Sequence, residues 1–188
     1  MSRAYRIRIS ESLRRHVTVD DGIQSTLEIL DILPREQTAA LLAAELAAAG
    51  FEEREDGQWV RSDEDGVEVR IDPVEGTVTV GAGTSEALEL ERERVVSAWA
   101  ENDASTRERG KEALRAELEA EVDERTKALQ AEVTRKLEGK LGDLRQELDR
   151  ISNKVTAEAL KRKAASMGEV QEISEDPESG SLTIRVKI

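Results

Sequence analysis

Hydrophobic residues alternate with arginine near the start of the chain: Tyr5, Ile7 and Ile9 are interleaved with Arg6 and Arg8. That period of two marks a half-buried strand. Arg15–Asp20 and Ser25–Asp31 predict two more strands, although Leu27–Leu33 could open a helix instead. Pro34 suits a first helical position, and Leu41, Leu42 and Leu46 share one face of an alanine-rich run. Gly50 followed by Phe51 fits a left-handed stop with its apolar contact, so a helix is predicted over Arg35–Ala49. Beyond it, Gln58–Arg61, Val67–Ile71 and Thr77–Val80 are short alternating runs divided by the turn dipeptides Asp56-Gly57 and Asp65-Gly66, a β-meander that Gly81-Ala82-Gly83 should end. Glu86–Ala100, with Leu88, Leu90, Val95, Val96 and Trp99, reads as a helix, and Glu101–Ala104 as a break.

The next stretch carries a thinner stripe. Ser105 and Glu108 have capping-box spacing, which starts a helix near Thr106. Leu114, Leu118, Val122, Leu129, Val133, Leu137, Leu141, Leu144, Leu148, Ile151 and Val155 then recur at steps of three, four or seven among charged residues and alanines. So narrow a line predicts a coiled-coil seam. Steps of four dominate before Leu137 and a heptad-like alternation follows Leu141. Between them, Gly139 and Gly142 would cost an exposed helix roughly 2 kcal/mol relative to alanine. Either the helix tolerates them, or they form the tip of an antiparallel hairpin. An unbroken helix of about 60 residues would be on the order of 90 Å long and would carry the C-terminal segment away from the body. The hairpin is therefore the favoured expectation, with a continuous rod in an antiparallel dimer as the alternative.

Residues 169–188 predict two strands around a turn, and a lone two-stranded hairpin is marginal in water, so they should join a larger sheet. Asp72-Pro73-Val74-Glu75-Gly76-Thr77-Val78-Thr79-Val80 is repeated in kind by Asp176-Pro177-Glu178-Ser179-Gly180-Ser181-Leu182-Thr183-Ile184, so the same hairpin should be made twice. The expectation is an α+β fold: a β-rich body over 1–83, a helix and connector over 84–104, a coiled-coil arm over 105–167, and a C-terminal hairpin over 168–188 that joins the body sheet.

Composition narrows the function. Of 188 residues, 41 are acidic and 28 basic, a formal charge of −13. That disfavours a chain whose main work is gripping nucleic-acid phosphates. With 2% aromatic residues the core must be aliphatic, and with no cysteine there are neither disulfides nor thiolate metal sites. No segment approaches the length of a membrane span, and the first residues lack the apolar run of a signal peptide, so a cytoplasmic location is expected.

Searches for chemistry return structural readings. Asp63-Glu64-Asp65-Gly66 with Asp72 resembles a calcium loop only until Gly66 is aligned, which places Arg61 at the first ligand position. Gly81-Ala82-Gly83-Thr84-Ser85-Glu86 has glutamate where a dinucleotide fingerprint needs its third glycine. His16 is the lone histidine and has no elbow serine to serve. Glutamate pairs on a solvated helix keep ordinary acidity. No catalytic, cofactor or metal residue is assigned. Trp59 and Trp99 are core residues or partner contacts. If the first and last strands shared a sheet, Arg6, Arg8, Arg185 and Lys187 would form a basic strip.

The opening Tyr5–Ser12, the segment Leu27–Leu30 with Leu33-Pro34, and the closing Asp176-Pro177 hairpin with Ile184–Lys187 resemble accessory proteins of bacterial ternary systems. These are encoded beside a MoxR- or FtsH-type AAA+ ATPase and a von Willebrand factor A domain protein. The resemblance covers the two ends and not the arm. It implies an adaptor or substrate-presenting role beside an ATP-driven remodelling machine, with the ATPase chemistry in the partner. The expected function is a non-enzymatic adaptor or scaffold that binds protein partners through body and arm, with homodimerisation through the arm open. The alternative is a nucleic-acid-associated factor using the basic strip.

Overall fold

The alternation that opens the chain does not stop at Ile9. A computed structural model, which describes residues 5–98, 103–176 and 181–187, shows one strand, β1, over Tyr5–Thr26. Odd positions face inward along it, with Ile7, Ile9, Val17 and Val19 buried. The strand predicted over Arg15–Asp20 is thus the continuation of the first, whereas of Ser25–Asp31 only Ser25 and Thr26 belong to it, and Leu27–Leu33 forms neither strand nor helix. Helix α1 follows over Arg35–Ala48, buries Ala39, Leu41, Leu42 and Leu46, and closes as predicted. Gly50 has φ of 82°, and the N–H groups of Gly50 and Phe51 return to the carbonyls of Ala47 and Leu46.

Strands β2 (Glu52–Glu53), β3 (Trp59–Ser62), β4 (Val67–Asp72) and β5 (Thr77–Ala98) form the meander, and the five-stranded antiparallel sheet has the order β1-β5-β4-β3-β2. Gly81-Ala82-Gly83 does not end it, and no helix spans Glu86–Ala98. β5 continues through both with even positions inward, burying Val78, Val80, Ala82, Leu88 and Ala98. Glutamate, leucine and arginine favour a helix by propensity, but pairing along β1 overrides that weak preference.

Helix α2 runs unbroken over Ala104–Met167, 64 residues, so the expected hairpin with its tip at Gly139–Gly142 is corrected to one continuous helix. Its start is capped by Asp103 rather than by Ser105 and Glu108. The Asp103 carboxylate accepts the Thr106 N–H at 3.0 Å and the hydroxyls of Thr106 and Ser105 at 2.7 and 2.8 Å. These hydrogen bonds, led by the Thr106 hydroxyl, lower the Asp103 pKa to about 2.

The coiled-coil reading is corrected as well. Leu114, Leu118, Val122, Leu129, Val133, Leu137, Leu144, Ile151 and Val155 are buried within the single chain. At these nine positions the stripe packs against the chain's own residues, as Leu114 does against Ile7, Ile9 and Ala98.

The chain divides into two units, Met1–Asp21 with Gly83–Arg135, and Gly22–Ala82 with Lys136–Ile188. In the first, Leu114 joins Ile7, Ile9, Ala98 and Val96 in one apolar cluster. Around it α2 presents charges to inward charges of the strands: Glu117 to Arg94, Glu121 to Arg92, Arg125 to Glu86 and Arg115 to Glu11. In the second unit, Glu45 of α1 pairs with Lys154 of α2 at 3.5 Å, and Ile71, Leu42, Leu46 and Val155 are almost wholly enclosed.

Strands β6 (Glu169–Asp176) and β7 (Ser181–Lys187) pair with each other in a separate two-stranded sheet. The expectation that they join the body sheet is corrected. Lys161 of α2 holds Glu175 at 3.6 Å, a contact that ties the hairpin to the helix end. The predicted repeat is visible in its closure. Asp72 pairs with Thr77 and Asp176 with Ser181, each pair enclosing four residues. In the first copy Asp72 accepts the N–H groups of Val74 and Glu75; the turn of the second lies outside the described residues.

Candidate functional site: an apolar groove in the second unit

Towards the end of β1 the inward row continues as Ile23, Ser25 and Leu27, but cover from the helix thins. A groove of about 720 Å³ opens between these residues, Val78 and Val80 of β5, and Leu141, Leu144, Leu148 and Ser152 of α2. Ile23 is 44% exposed at its mouth. Thr26, Glu28, Arg145, Asp149 and Asn153 supply a polar rim of mixed charge. Of the eleven residues in the predicted seam, only Leu141 and Leu148 are less than buried, and both line this groove.

Beside the groove the helix is anchored by charge. Arg61 of β3 donates to Glu147 through both terminal nitrogens, at 2.7 and 2.6 Å, and to the Ala49 carbonyl at 2.8 Å. Its guanidinium lies 4.4 Å from the centre of the Phe51 ring. Hydrogen bonding to Arg61 holds the Glu147 carboxyl below the usual glutamate range, against the opposing effect of burial. One turn past Lys136, Lys140 reaches the β3–β4 turn, with Asp65 at 2.6 Å and Asp63 at 3.1 Å, and hydrogen bonding to Asp65 and then Asp63 raises its pKa. Burial opposes ionisation of Asp63, but the Val67 N–H and Lys140 outweigh it and its pKa is lowered.

These contacts fix the stretch around Gly139 and Gly142 as continuous helix. A methyl group at either glycine would meet nothing within 4 Å.

The groove holds hydroxyl, amide, carboxylate and guanidinium groups along an apolar floor. That chemistry suits non-covalent capture of an apolar segment whose backbone needs hydrogen-bond partners. Among the described residues no cluster of histidine, aspartate or glutamate is placed to hold a metal ion, and no helix is long and apolar enough to cross a membrane.

A family model described as FtsH ternary system domain X5 matches residues 1–188. The chain belongs to that family. The match takes in the long helix as well as the two ends on which the sequence resemblance rested. Comparison with curated proteins finds no match, and comparison with solved structures finds none either.

The residues singled out from sequence in this X5 domain are dispersed. Arg6 and Arg8 lie on the outer face of β1, where Arg8 pairs with Glu93 at 2.7 Å. Arg185 pairs with Glu172 at 3.0 Å, and Lys187 stands opposite Glu169, both in the separate hairpin sheet. The first and last strands therefore do not share a sheet, and the condition for a common basic strip is not met. Trp59 is half-buried on β3 opposite Ile71 and Glu53; Trp99 lies outside the described residues. The groove residues Ile23, Leu27, Val78 and Val80 were missed, although the break in the seam phase at Gly139–Gly142 marks its helical wall.

Proposed function

We propose that this X5 domain is a non-enzymatic accessory of an FtsH-type ternary system and binds a polypeptide segment of another component in the groove of its second unit. Family membership supports the setting, and the half-covered Leu141 and Leu148 carry the assignment of the surface. An apolar side chain of the partner would seat between Ile23 and Leu148, while Ser25, Ser152 and Asn153 offer hydrogen bonds to its backbone. Deleting the helix is not a usable test, because the helix covers the sheet. The test is capture of the FtsH-type ATPase by full-length chain carrying Ile23→Glu or Leu148→Glu. Capture should fall sharply while the melting temperature changes little. Equal capture by both variants would remove the groove from the mechanism.

A further inference from the structure

The outermost strand of the five-stranded sheet is also one of its two longest. β1 has 22 residues and β5 as its one neighbour in the strand order, and it contains no proline. Strands of this length at an open edge are templates for pairing, and proteins guard them with charges turned inward. Three such charges stand here among the apolar inward row, Glu11, Arg15 and Asp21, the last accepting from the Thr134 hydroxyl of α2 at 2.6 Å. Glu11 is half-buried against Arg115 of α2 at 3.4 Å. Arg15, on the same side, is exposed and has no ion-pair partner among the described residues.

We infer that Tyr5–Asp21 pairs antiparallel with the same segment of a second copy, centred on Leu13, joining the sheets of two chains edge to edge. Antiparallel pairing across a two-fold axis keeps the inward rows on one side only when paired residue numbers have an even sum. In the register centred on Leu13, Glu11 stands opposite Arg15 twice, Arg6 opposite Asp20 twice, Ile7 opposite Val19 and Ile9 opposite Val17. Shifting the centre to Arg14 sets that arginine against itself and Glu11 against Val17. Shifting it to Ser12 sets Glu11 against Leu13 and Arg15 against Ile9. Glu11 and Arg15, inward charges that would repel a neutral strand, are thus complementary to their own copies in one register, in which Asp21 faces Tyr5.

Backbone direction agrees. Leu27, at an odd position, donates its N–H to the Gly76 carbonyl towards β5. By alternation the even residues turn their N–H and C=O groups to the open edge, where the Asp20 carbonyl already accepts from Gln130 at 3.2 Å and has its second lone pair left for a paired strand. Odd residues then form the close, non-hydrogen-bonded pairs, with the two Leu13 side chains meeting on the axis. This interface is separate from the groove and does not depend on the accessory role.

Sedimentation of the full chain should give twice its 20.8 kDa mass. Arg15→Glu should weaken the dimer by about a hundredfold, because two like-charge contacts replace two attractive ones. Glu11→Arg should do the same alone, and an equimolar mixture of the two variants should recover a one-to-one dimer. Since Glu11→Arg also meets Arg115, the pair Arg6→Asp and Asp20→Arg provides a second complementation, with circular dichroism checking each fold. The chain has no cysteine, so Leu13→Cys should trap a disulfide-linked dimer, whereas Ile9→Cys and Val17→Cys alone should not. A wild-type chain that stays monomeric at every concentration overturns the inference. So does a dimer that ignores Arg15→Glu and resists Leu13→Cys cross-linking, which would assign its interface to another surface.

Discussion

Arg61 and Glu147, 86 positions apart in the chain, meet through two parallel hydrogen bonds, each nitrogen serving one carboxylate oxygen. The pair joins the meander to the middle of the long helix, and about a third of each side chain is exposed. Bidentate geometry and partial burial give it more weight than a surface ion pair. Glu147→Gln should therefore destabilise the chain by about 1–2 kcal/mol in urea unfolding at neutral pH. The sign with pH follows from the depressed Glu147 pKa. The contribution is present above the unfolded glutamate pKa and is lost as pH falls through the lower folded value, so wild type and variant should converge in acid.

Gly139 and Gly142 test the continuity of α2. In a straight exposed helix each glycine costs roughly 1 kcal/mol relative to alanine, and neither position has a neighbour that a methyl group would strike. Gly139→Ala with Gly142→Ala should raise stability by about 2 kcal/mol in the same assay. A loss of stability would mean that the chain turns there.

Gly168 behaves in the opposite way. A methyl group on it would collide with the backbone carbonyl of Lys187, across the start of the β6–β7 hairpin. Gly168→Ala should expose the hairpin amides, seen as faster hydrogen exchange in Glu169–Asp176 and Ser181–Lys187. Exchange in the five-stranded sheet should be unchanged.

The helix cap offers a spectroscopic check. The Asp103 carboxyl should titrate near pH 2 by carbon-detected NMR, because three hydroxyl and amide donors stabilise its charged form. Its share of stability is present above the unfolded aspartate pKa and disappears as pH falls towards 2. A midpoint near the ordinary value of 3.8 would show that the cap is not formed.

Much of the small-scale structure was legible from residue order. The α1 stop at Gly50-Phe51, the turns of the meander and the repeated four-residue closure depend on backbone chemistry within a few residues, and the structure contains them. The seam was legible as a stripe but not as to what covers it. Four helical residues rise about 6 Å and two strand residues about 6.6 Å, so a line of leucines at steps of four fits alternate residues of a strand as readily as another helix. Glu86–Ala98 was misread because its local propensity is helical, whereas its conformation is set by β1, far away in sequence. The groove was partly marked: Leu141 and Leu148 were named, while Ile23, Leu27, Val78 and Val80 come from distant segments.

By itself the sequence determined which residues turn, which alternate, which form the long stripe, and that the chain carries a net negative charge. Only the tertiary structure decided that β1 and β5 are single long strands, that the stripe is covered by the chain's own sheet, and that this cover thins beside Ile23 and Leu148. Turns and caps are fixed by interactions within one or two turns of chain. Pairing partners are selected by side chains that meet from opposite ends of the sequence, and no local window contains both.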